Sequence, residues 1–88
     1  MSLAHLQAAA RLAREASQGR RTIELVVTEE GVVVRGWTFT RHGSRFGFDK
    51  RHVANREVAW PELSSPADLA SNAVMLVDRE LSAMEGRG

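Results

Sequence analysis

The stretch TIELVVTEEGVVVRGWTFT, residues 22–40, decides the fold. Thr22 to Thr28 alternates with period two and is rich in β-branched residues, so Ile23, Leu25 and Val27 share one face of a strand. Val32 to Thr40 continues as a second strand. Between them Thr28-Glu29-Glu30-Gly31 has the form of a type I turn closed by a left-handed glycine, which makes a three-residue hairpin loop. That loop sets the register: Val27 is expected opposite Val33, Leu25 opposite Arg35, and Ile23 opposite Trp37. A slip of one residue would move Trp37 and Phe39 to the other face.

Downstream, Arg41-His42-Gly43-Ser44 has turn chemistry and leads into Phe46-Gly47-Phe48, so a third strand is expected over 45–50. Phe39 then lies opposite Phe46 and Trp37 opposite Phe48. Ile23, Trp37 and Phe48 form one row, which points the aromatics into the core and makes Trp37→Ala cost about 3–5 kcal/mol. Arg35 is the misfit of this register. On the helix-packed face it needs an acid such as Asp78 or Glu80 or an exit at the sheet edge, unless the register is a different one. Signals weaken from Asp49 to Pro61, where Arg56 to Trp60 reads as a short fourth strand or an extended connection, with Trp60 held extended by Pro61.

Helices flank these strands. Residues 2–17 carry Leu3, Leu6, Ala9, Ala10, Ala13 and Ala16 at three- and four-residue spacing, with Gly19 in the position of a C-cap glycine. The second helix spans 66–84, with Ser65 as N-cap, Pro66 first, Asp68 third, and a stripe of Leu69, Ala73, Leu76, Val77, Leu81 and Met84. Residues 85–88 are expected to be a frayed tail. The chain is therefore one small α+β domain over 1–88, in α-β-β-β-α order, a three-stranded antiparallel meander with two helices on one face. This order resembles the double-stranded-RNA-binding fold along the whole chain. Where that family opens its second helix with a lysine cluster, this chain has Ser65, Pro66, Ala67 and Asp68, so no site residue is carried over.

Composition bounds the chemistry. Among 88 residues there is no cysteine, which removes disulfides, thiol nucleophiles and thiolate metal sites. The N-terminus has no basic n-region or unbroken apolar run of a secretory signal, and a cytoplasmic location is expected. Eleven arginines against one lysine fit the codon bias of a GC-rich genome, bacterial or phage. The net charge of +1 conceals a dipolar layout: residues 35–56 carry +5, residues 57–88 carry −4, and residues 1–34 sum to zero. Such asymmetry bears on partners rather than fold.

Individual motifs are weak. His42, Asp49 and His52 lack metal-ligand spacing and read as solvated surface groups. Ser44 near His42 has no nucleophile elbow, and the glycines Gly43 and Gly47 fit turns rather than a phosphate-binding loop. No cofactor and no catalytic residue is indicated. The expectation is a non-enzymatic module that contacts an acidic partner, nucleic acid first, through Arg41, His42, Arg45, Lys50, Arg51 and Arg56. Basic residues interleaved with aromatics also characterise single-strand stacking platforms. The alternative is a small protein-protein interaction or self-associating accessory protein, phage or plasmid encoded, with a homodimer favoured by its self-complementary charge.

Overall fold

The computed structural model describes residues 3–41 and 49–86. Its elements are α1 (Leu3–Ala16), β1 (Thr22–Val27), β2 (Gly31–Arg41), β3 (Asp49–Ala59), the four-residue α2 (Trp60–Leu63) and α3 (Leu69–Gly86). The strands form an antiparallel meander in the order β1-β2-β3. This is the expected α+β architecture, with α2 as a short addition. Both long helices lie on one face, α1 chiefly over β1 and α3 over β2 and β3.

The register differs from expectation by one residue. Val27 faces Val32, Leu25 faces Val34, and Ile23 faces Gly36. The turn is shorter than expected: Thr28 N–H donates to the Gly31 carbonyl at 2.8 Å, and the Thr28 hydroxyl accepts the N–H groups of Glu30 and Gly31. That leaves a two-residue Glu29-Glu30 loop. Gly31 does not take positive φ, since Gly19 is the one described residue that does. Its need is space, because a Cβ there would collide with the Val58 carbonyl and approach Ala59 Cα to 2.8 Å.

Energetics favour this register. It buries Val32, Val34, Gly36 and Thr38 beneath the helices and leaves Arg35 in water, whereas the alternative would carry the Arg35 guanidinium onto the helix-packed face at a desolvation cost. The central row becomes Ile23, Gly36 and Ala54. Small residues there let α3 lie close: a Cβ on Gly36 would sit 2.6 Å from Val77 Cγ1 and 2.9 Å from Leu81 Cδ1. Trp37 and Phe39 are therefore not core residues but half-buried groups on the opposite face.

The third strand is also displaced. Asp49–Ala59 pairs with all of β2, placing Val53 opposite Trp37 and Arg51 opposite Phe39. The expected partners Phe46 and Phe48, and residues 45–48 of the expected strand, lie outside the described residues. Arg56 to Ala59 is the end of β3 rather than a fourth strand. The chain leaves the sheet at Ala59, and Trp60 begins α2 instead of remaining extended. Two bonds hold it there: Trp60 N–H donates to the Glu30 carbonyl at 3.0 Å, and its Nε1–H to the Glu29 carbonyl at 2.8 Å.

At the start of α3 the cap is Asp68, not Ser65. Its carboxylate accepts the Ser71 N–H at 3.0 Å and the Ser71 hydroxyl at 2.7 Å, so the helix begins at Leu69. Ser65 instead accepts the Ala67 N–H in the preceding turn. Of the expected frayed tail 85–88, Glu85 and Gly86 continue α3, and residues 87 and 88 lie outside the described residues. Glu85 is helical and takes both the Arg21 guanidinium and the Thr38 hydroxyl, while Asp78 takes the other arm of Arg21. This cluster ties α3 to the start of β1 and satisfies the buried Thr38 hydroxyl.

Candidate functional site

The face of the sheet away from the helices is uncovered among the described residues. Strand alternation places on it Thr22, Glu24 and Val26 from β1, Val33, Arg35, Trp37 and Phe39 from β2, and Arg51, Val53, Asn55 and Glu57 from β3. None of these is buried. Cross-strand rows give the surface two ends. Near the β1–β2 turn lie the rows Val26-Val33-Glu57 and Glu24-Arg35-Asn55; further out lie Thr22-Trp37-Val53 and Phe39-Arg51.

The outer end combines aromatic and cationic groups. Arg51 holds its guanidinium carbon 5.6 Å from the centre of the Trp37 ring, within cation–π range. Val53, 44% exposed, stands directly opposite Trp37. Trp37 and Phe39 are two residues apart on one face, hence about 7 Å apart along the strand. Such a surface can stack planar rings and neutralise anionic groups beside them.

The sequence-derived residues separate. Arg51 lies on this face. Arg56 lies on the other, exposed, with its Nη2 3.8 Å from a Glu80 carboxylate oxygen on α3. Arg41 and Lys50 occupy backbone positions opposite Asp49 and Thr40 at the outer end of the β2–β3 ladder. His42 and Arg45 lie outside the described residues. Sequence reasoning missed Arg35, Trp37 and Phe39 as surface groups, and Arg35 was the available signal, since a charge in an otherwise apolar strand face marks that face as the wet one.

Electrostatics elsewhere are structural. Arg21 beside Glu85 and Asp78 holds its proton more tightly than usual, against the opposing effect of burial. The same Arg21, then the Thr38 hydroxyl, hold the Glu85 carboxyl below the usual range, with burial opposing. For Asp68, burial pushes upward, but the Ser71 hydroxyl and N–H and the charge of His5 outweigh it and the carboxyl stays low. Among the described residues no three His, Asp or Glu side chains are grouped to hold a metal ion, and no helix is long and apolar enough to cross a membrane.

No protein-family model, curated protein or solved structure matches the chain.

Proposed function

We propose that this chain is a non-enzymatic binding module whose uncovered sheet face takes single-stranded nucleic acid. The observation that carries this reading is the juxtaposition of Trp37, Phe39 and Arg51 on a sheet face that, among the described residues, no helix covers. Trp37 and Phe39 each offer a ring for one base, with stacking worth about 1–3 kcal/mol per base. Arg51 moves from the Trp37 ring to a phosphate as a base takes its place, and Arg35 supplies a second cation one row inward. Arg41 and Lys50 hold backbone positions at the outer end of the β2–β3 ladder, and His42 and Arg45 follow in the sequence between them, so we propose that the strand tracks outward from the Trp37 row. A cytoplasmic protein of bacterial or phage origin fits this role.

The test is a titration of labelled single-stranded and double-stranded DNA and RNA of equal length at two salt concentrations. Preferential, salt-sensitive single-strand binding is expected. A second reading, a protein partner on the same face, is favoured by the valines Val26 and Val33 and the acids Glu24 and Glu57 at the inner end. It predicts no nucleic-acid binding at any salt.

A further inference from the structure

We propose that the outer edge of β3 pairs, antiparallel, with the same edge of a second copy of this chain, about a two-fold axis at Ala54. In the order β1-β2-β3, β3 is an edge strand of eleven residues, hydrogen-bonded to β2 alone among the described residues. An edge of this length is a template for further strand pairing, and charged side chains normally guard against it. Here the guarding charges are complementary in one register. With Ala54 opposite its own copy, Arg51 of one chain stands opposite Glu57 of the other, and the pair recurs by symmetry. Both residues are exposed on the uncovered face.

Neighbouring registers that keep both helix layers on one side lack this match. Centred on Val53, Asp49 meets Glu57 and Lys50 meets Arg56, like against like; centred on Asn55, Glu57 meets Val53; centred on Arg56, that residue meets itself. In the Ala54 register His52 and Arg56 meet on the helix side, where Arg56 already has Glu80 on α3 beside it. Leu76, one turn before Glu80 and 36% exposed, lies on that same flank of α3 and loses water as the second copy arrives. In the absence of nucleic acid Arg51 exchanges the Trp37 ring for a carboxylate, two contacts of comparable strength when exposed. The drive is then the backbone ladder and the apolar flank. Both uncovered faces end on one side of a six-stranded sheet.

The pairing is read without nucleic acid, by sedimentation equilibrium of the full chain over a wide concentration range, with circular dichroism to confirm folding. A concentration-dependent dimer is expected. Arg51→Glu and Glu57→Arg, each placing like charges opposite one another, should each raise the dimer dissociation constant at least about tenfold. The double variant Arg51→Glu/Glu57→Arg should return it to within about threefold of wild type, since its pairs are merely reversed. A wild-type monomer at every concentration would overturn the proposal, as would folded single variants that dimerise like wild type, or a folded double variant that fails to recover.

Discussion

The guanidinium of Arg51 rests over the indole of Trp37, 5.6 Å from the ring centre, on the sheet face that neither helix touches. Both residues belong to the basic-aromatic segment of the chain, and their contact joins the cation to the ring across two strands. Trp37→Ala therefore removes a surface ring rather than a core side chain. Its effect on stability should stay below about 1.5 kcal/mol by denaturant titration, well short of the 2–5 kcal/mol of a buried truncation. Single-strand affinity should fall roughly 5- to 150-fold, the equivalent of losing one stacked base.

Gly36 carries the close approach of α3 to the sheet. Gly36→Val should destabilise by about 1–3 kcal/mol or more, because its side chain enters space held by Val77 and Leu81. Thermal denaturation followed by far-UV circular dichroism checks this. An unchanged melting temperature would mean that α3 does not lie where the small Gly36-Ala54 row allows it.

The fold was legible where one periodicity dominates. Ile23 and Leu25 of β1 and Leu69, Ala73, Val77, Leu81 and Met84 of α3 pack as their spacing implies, whereas Val27 and Leu76 are exposed, and Gly19, with its φ of +63°, serves the Gln18–Arg21 turn beyond α1 rather than its C-cap. What the spacing did not carry was the count of residues in the turn. A two-residue and a three-residue loop fit Thr28 to Gly31 equally well by residue type, and the choice rests on the Thr28 hydroxyl and on Trp60, 30 residues away in sequence, which grips the Glu29 and Glu30 carbonyls. That single step turns Trp37 and Phe39 from core to surface. β3 was hidden for a different reason: DKRHVANREVA has charges on both faces, so its strand character comes from pairing with β2 rather than from its own pattern. Of the expected binding residues Arg51 reached the open face, and Arg56 did not, because they differ by an odd number of steps along one strand.

Trp60 anchors the β1–β2 turn through its indole N–H. Trp60→Phe keeps the ring and deletes the bond to the Glu29 carbonyl, so a loss of about 0.5–1.5 kcal/mol is expected from chemical denaturation. Gly31→Ala should cost more, since it strikes the Val58 backbone rather than a flexible side chain.

Acid should loosen the end of α3 first. Glu85 has a folded pKa below its ordinary value, because Arg21 and Thr38 bind the carboxylate form. Its contribution is fully present above the unfolded pKa and is lost as pH falls through the lower folded one. Asp68, also lowered, adds to the same trend at the other end of the helix. Glu85→Gln should therefore flatten the fall in stability from the ordinary glutamate range downward, while lowering stability near neutrality. An unchanged acid slope in this variant would show that the Arg21 cluster does not couple to folding.

The central claim is that the uncovered sheet face binds single strands by stacking on Trp37 and Phe39. The most direct measurement is fluorescence anisotropy of a labelled single strand titrated with wild type and with Trp37→Ala, each at low and at higher salt, with folding of both confirmed. The account predicts that wild type binds, that affinity falls with salt with a slope of about 0.7 per phosphate contacted, and that Trp37→Ala is folded and binds markedly more weakly. Absence of wild-type binding at low salt, or a folded Trp37→Ala variant that binds as wild type does, would contradict it.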